Sequence, residues 1–138
     1  MAHWTDDLLA LPWKDKGRDR NGVDCWGLCR LAFAEKRHIL LPSYHDSYAT
    51  TIDGAVIERT ISAEMTGLVL PVAEGDALPW DFVLMREGPR AVHVGLVAED
   101  GRMLHIERSS TSRVQRWGDP EFRLRIVGFY RLVELADA

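Results

Sequence analysis

No run in this sequence approaches the roughly 20 consecutive apolar residues that a membrane-spanning helix requires. The opening MAHWTDDLLALPWKD has no basic segment ahead of its apolar residues, so it does not read as a secretory leader. Positive charge is not in surplus either. A formal net charge of −4 argues against a nucleic-acid partner, which needs clustered Lys and Arg to neutralise phosphates. Arg108, Arg113, Arg116, Arg123 and Arg125 are close in sequence, but Glu107, Asp119 and Glu121 interrupt them, the pattern of a solvated face. Only two cysteines occur, Cys25 and Cys29, too few for a disulfide framework. On one helix they stand about 6 Å apart in rise, a poor geometry for bridging, so both are expected as thiols. Internal repeats, low-complexity tracts and linkers are also missing.

What is present suits one domain over residues 1–138. The chain is 46% hydrophobic and 28% charged, ordinary for a globular protein with one core. Thr5-Asp6-Asp7 offers a cap for a short helix before Pro12. Residues 14–22 read as a polar loop. Asp24 then opens the clearest helix: Cys25, Leu28, Cys29, Ala32 and Phe33 form one apolar face, which fades around Arg37 or His38. Residues 39–53 read as a loop, and Asp53 as the cap of a second helix carrying Val56, Ile57, Thr60 and Ile61. After Gly67 the pattern changes to strands over residues 80–86, 92–98, 103–107 and 125–133, with Asp100-Gly101 a hairpin signal. Helices first and an antiparallel sheet afterwards make an α+β layout, the Cys25 helix packed on the sheet.

The chemistry concentrates in Gly22-Val23-Asp24-Cys25-Trp26-Gly27-Leu28. A cysteine in the first turn of a helix meets unpaired N–H groups and the positive end of the dipole. That setting is expected to lower its pKa toward the reactive thiolate, and the same amides suit a developing oxyanion. The plainer reading of Cys25 is a small buried hydrophobe; for Cys29, one turn further in, that reading is preferred. A thiolate nucleophile needs a base and a group that orients it. His93, inside Ala91-Val92-His93-Val94-Gly95-Leu96-Val97, is either a satisfied core residue or a base projecting toward the Cys25 side of the sheet. With the turn centred on Asp100-Gly101, His105 falls roughly opposite Leu96, near a diagonal from His93. There it is able to fix the tautomer of a base. The same four side chains, Cys25, Cys29, His93 and His105, also form a two-sulfur, two-nitrogen set of the kind zinc takes. The gap between the histidines departs from zinc-finger spacing.

These motifs resemble the NlpC family of papain-like cysteine peptidases, whose pattern is Asp-Cys-Ser-Gly-Leu at the nucleophile and His-Val-Gly-Ile at the base, with a polar residue on the next strand. Leu11-Pro12-Trp13 stands where the family carries Pro-Tyr. Asp81-Phe82-Val83-Leu84 resembles its Gly-Asp-Leu-Val strand, and Val127-Gly128-Phe129-Tyr130-Arg131 its last strand, so the likeness runs from about residue 7 to 132. It implies a papain-like fold, Cys25 as nucleophile, His93 as base and His105 as the orienting third member. Asp24, Trp26 and Trp13 are its implied substrate-binding residues, and neither metal nor cofactor is called for. The implied substrate is the stem peptide of bacterial peptidoglycan, cut after D-glutamate. Trp26 replaces the usual serine, and Trp13 a tyrosine whose hydroxyl faces the active site in relatives. The Asp-Cys-Trp-Gly-Leu variant resembles members from phage and gene-transfer-agent tail modules. That implies synthesis in the bacterial cytoplasm, phage-like tail proteins as partners, and carriage on a particle to the cell wall. The alternatives are a tail-tip assembly or binding protein with a peptidase-like fold, and a CHAP-type amidase, which keeps the same order of cysteine and histidine.

Overall fold

A computed structural model describes residues 3–43 and 67–136. The expected second helix after Asp53 lies outside them. A 3-10 turn, Asp6–Leu8, comes first, shorter than the capped helix expected there. Two short strands follow, β1 (Arg18–Asp19) and β2 (Gly22–Val23), paired antiparallel inside the stretch expected to be loop. Helix α1 is Cys25–Ala32. It runs on as a π-helical turn, Phe33–Arg37, and stops at His38, whose backbone is left-handed (φ 57°).

Asp24 starts α1 as its sequence position suggests, with extended backbone and a carboxylate that accepts the Gly27 N–H at 2.7 Å. The buried face consists of Leu28, Cys29, Ala32 and Phe33. Gly27 is needed for a different reason. A Cβ there would collide with the Gly17 carbonyl oxygen, so the first turn lies directly on the preceding loop.

The sheet has six antiparallel strands in the order β3-β8-β4-β5-β6-β7. Here β3 is Val69–Val72, β4 Phe82–Glu87, β5 Arg90–Glu99 and β6 Arg102–His105. Then come β7, Arg113–Arg116, and β8, Ile126–Leu132. Four of these match the expected strands within a few residues, whereas β3 and β7 were not expected. One face, with Phe82, Leu84, Val94, Leu96 and Leu104, packs against Leu28, Ala32 and Phe33 of the α1 segment. The other carries Val83, Met85, Val97, Met103 and Phe129 beneath Trp117 and Phe122. Each fully buried Phe or Leu contributes about 1.5–3 kcal/mol by leaving water. The sheet is therefore held from both sides, and its strand ends are fixed where the polar residues gather.

Candidate active site

Cys25 is the first residue of α1, as expected from its place after Asp24. Its sulfur lies 3.8 Å from the Val92 carbonyl oxygen of β5, next to His93 in the chain. The Val94 N–H faces the same thiol. Val97 bonds to Trp80 and Asp81 on the β4 side, and alternation along a strand turns Val94 and Val92 the other way. They lie beyond the Leu96–Leu104 pair, past the paired part of β5 and β6. The start of α1 thus meets backbone that β6 leaves uncovered.

The histidines require a correction. His93 pairs across to Met85, a member of the core on the far side of the sheet from α1. It does not project from the α1 face. Cys25 meets this strand at the Val92 carbonyl, one residue from His93. A turn centred on Asp100-Gly101 without a bulge puts His105 opposite Leu96, on the α1 side. Instead Leu104 pairs with Leu96, because the β5–β6 register shifts between Val97 and Glu99. A one-residue slip moves a side chain to the other face, and here it brings His105 to the face of His93.

Together they form a relay. His93 Nε2 and His105 Nδ1 are 2.8 Å apart, and His105 Nε2 lies 2.7 Å from the Gln115 side-chain oxygen. An amide oxygen only accepts, so His105 Nε2 carries the hydrogen. Its Nδ1 then has a lone pair and accepts from His93 Nε2–H. That leaves the lone pair of His93 on Nδ1, the form a base requires. The Phe122 ring meets His105 edge to face, with centroids 5.1 Å apart. Gln115 was not found from the sequence. Its strand, Arg-Val-Gln-Arg, has one apolar residue and no alternation to reveal its register.

Burial dominates the titration of the site. It holds the His93 pKa well below 6.5, with His105 and Arg125 adding to the effect. His105 is also lowered by burial, against the opposing bond to Gln115. The Cys25 thiol is pushed up to about 12 by burial and then by Asp24, while the Val94 and Trp26 amides pull the other way. Burial thus opposes the expected lowering by the helix start and favours the uncharged forms of the thiol and the imidazole. Cys29, raised well above 9.0 by burial, is a core residue.

The implied substrate-binding residues divide. Asp24 is 1% exposed and commits its carboxylate to the Gly27 N–H and, at 2.8 Å, to Arg18. Capping and ion pairing, not substrate contact, are the tasks its position gives it. Trp26 is likewise a core residue. It donates its indole N–H to the Pro42 carbonyl at 2.8 Å and stacks on Phe82. Trp13 is half-buried, bridges to Val23 two residues before Cys25, and lies under the Arg108 guanidinium at 5.4 Å. As for a metal, the ligand atoms of His93, His105 and Glu107 lie within 4.8 Å of one another, and neither cysteine joins them. The four-residue zinc set is therefore not assembled. The His93–His105 hydrogen bond and the Glu107–Arg125 pair (3.0 Å) already occupy that trio.

The NlpC/P60 family profile matches residues 11–131. Among solved structures, the chain resembles a lipoprotein-like NLP/P60 protein of Staphylococcus aureus. The identity there is 15% and the TM-score 0.69, over 94% of this chain and 39% of that one. It also resembles the NlpC/p60 domain of the peptidoglycan hydrolase SagA, with 17% identity and TM-score 0.60, over 93% and 92%. NlpC2 of Trichomonas vaginalis matches with 16% identity and TM-score 0.66, over 93% and 44%. This chain spans about two fifths of the length of the S. aureus protein. Among curated proteins none matches.

Proposed function

The protein belongs to the NlpC/P60 family, and on that premise we propose that it is a cysteine peptidase that hydrolyses peptide bonds in peptidoglycan stem peptides, at the D-glutamyl–diamino acid bond. The observation that carries this reading is the directed relay from Gln115 through His105 to His93, the residue after Val92, whose carbonyl oxygen lies 3.8 Å from the sulfur of the helix-start Cys25. A buried histidine serving only as packing has no need of two successive partners that select one tautomer.

In the proposed reaction the Cys25 sulfur attacks the scissile carbonyl carbon as its proton passes to His93 Nδ1. The oxyanion develops near the first turn of α1, where the Cys25 N–H has no use within the helix. Collapse expels the amine, which takes the proton from His93, and leaves a thioester on Cys25. Water, deprotonated by His93, attacks the thioester and releases the acid and the thiol. His105 stabilises the transient imidazolium, and Gln115 holds His105 in the accepting tautomer. Trp13, with Arg108 over its ring, is the proposed wall of the substrate groove.

The test is digestion of purified muropeptides followed by mass spectrometry. The wild type is expected to yield fragments cut after D-glutamate, and Cys25→Ala intact material. Fragments released at a sugar–peptide amide would support an amidase instead, and intact material with both proteins an assembly role. We extend the proposal to carriage on a phage or gene-transfer-agent tail, supported by the resemblance of Asp24-Cys25-Trp26-Gly27-Leu28 to members from tail modules. Peptide mass spectrometry of purified particles checks this. Particles without the chain, from cells that make both, would overturn it.

A further inference from the structure

The β4–β5 hairpin turns at Gly88, which takes a left-handed backbone (φ 61°), and so brings Glu87 opposite Arg90. The Glu87 side chain is 43% exposed, yet its Oε1 lies 3.8 Å from His93 Nδ1. That nitrogen is the one the relay leaves unprotonated. In the proposed reaction Glu87 thus stands at the atom that receives the Cys25 proton, with Arg90 opposite it on β5. His105 lies on the opposite edge of the imidazole, Arg125 and the Glu107 paired with it come from the strand ends, and Asp24 stands behind the cysteine.

We propose that Glu87 is a positioning residue that favours transfer of the Cys25 proton to His93 by pairing with the imidazolium that results. The inference rests on Cys25 and His93 being nucleophile and base, but it does not require that the substrate be peptidoglycan. The proton leaves Sγ and arrives at Nδ1, and no other bond changes. At 3.8 Å the carboxylate passes from a weak dipolar contact to an ion pair. The same charge disfavours a thiolate at Cys25. Glu87 therefore helps the thiolate–imidazolium pair only while His93 holds the proton, and opposes the lone thiolate formed at high pH. This reversal of sign distinguishes the proposal from a structural role.

The experiment is alkylation of Cys25 by iodoacetamide, followed by peptide mapping from about pH 6 to pH 11, in the wild type, Glu87→Gln and Glu87→Asp. Iodoacetamide is neutral, so substrate charge does not enter. Near pH 7, Glu87→Gln is expected to react about three- to tenfold more slowly, the range for one solvent-screened unit charge at this distance. At the alkaline end it is expected to match or exceed the wild type, and Glu87→Asp to recover part of the loss. A wild-type rate for Glu87→Gln near pH 7 would overturn the proposal. So would equal slowing at every pH, which marks a general disturbance of the site. Circular dichroism confirms that the exposed substitution leaves the fold intact. If Glu87→Gln behaves as expected while muropeptides stay uncut, the peptidase reading fails and this one stands.

Discussion

His105 sits over Gly95: a Cβ on that glycine would lie 3.1 Å from the His105 Cβ and 3.1 Å from the Leu104 carbonyl oxygen. The glycine of His93-Val94-Gly95 thereby admits the second imidazole, which lies 2.8 Å from the first. Gly95→Val is expected to displace His105 and lower turnover about as much as His105→Ala, although Cys25 and His93, the proposed nucleophile and base, are unchanged. Steady-state kinetics of the two variants, with near-ultraviolet circular dichroism for packing, check this.

The histidines differ in what they supply. His93→Ala removes the proposed proton acceptor and is expected to cost about 10²–10⁴-fold in kcat. His105→Gln or His105→Asn keeps an amide able to bond an imidazole and retains part of the activity, with His105→Ala falling between. Gln115→Ala removes one hydrogen bond and is expected to cost about two- to tenfold. Kinetics on a stem-peptide substrate order the series. Full loss in His105→Gln beside near-normal His93→Ala would reverse the roles.

Stability should depend on pH through the same pair. His93 is buried with its pKa held well below 6.5, and burial lowers His105 as well. Below about pH 6.5 the unfolded chain binds protons that the folded state excludes, so stability falls as pH drops; above it, these groups contribute no further change. Thermal melts between about pH 8 and pH 5 are expected to show a smaller decline for His93→Gln than for the wild type. Equal slopes would mean that His93 is protonated in the folded protein.

Asp24 does structural and electrostatic work together. Asp24→Ala removes the cap of α1 and leaves Arg18, 12% exposed, without its carboxylate. A loss of about 2–4 kcal/mol is expected. Asp24→Asn keeps a capping side chain and is expected to lose less. It also removes a charge that raises the Cys25 pKa, so its thiol should ionise at lower pH. Denaturant titration and absorbance near 240 nm measure the two effects.

The helix from Asp24 to His38 was legible because its cap and apolar face lie within one short segment. The Asp100-Gly101 hairpin was legible for the same reason. Glu99 pairs with Arg102, and Gly101 takes the left-handed backbone (φ 77°) that the turn requires. Strand β3 was not, since it pairs with β8 across some sixty residues and contains Pro71, which local alternation does not flag. The site was legible as a set of residue types but not as a geometry. No local signal marks the register shift between Val97 and Glu99, and that shift decides which face His105 occupies. Gln115 and Glu87 gave no signal either. A polar residue in a four-residue strand and a carboxylate beside a turn look like ordinary surface until pairing places them against the histidines.

The proposed mechanism requires a covalent bond between Cys25 and its substrate. It is tested most directly by acid-quenching the protein within its first turnovers on a stem peptide and mapping the adduct by mass spectrometry. An acyl group ending in D-glutamate is expected on Cys25 and none on Cys29, accumulating when water is made limiting and absent in Cys25→Ala. Cleavage without any adduct on Cys25, or equal cleavage by Cys25→Ala, would contradict it.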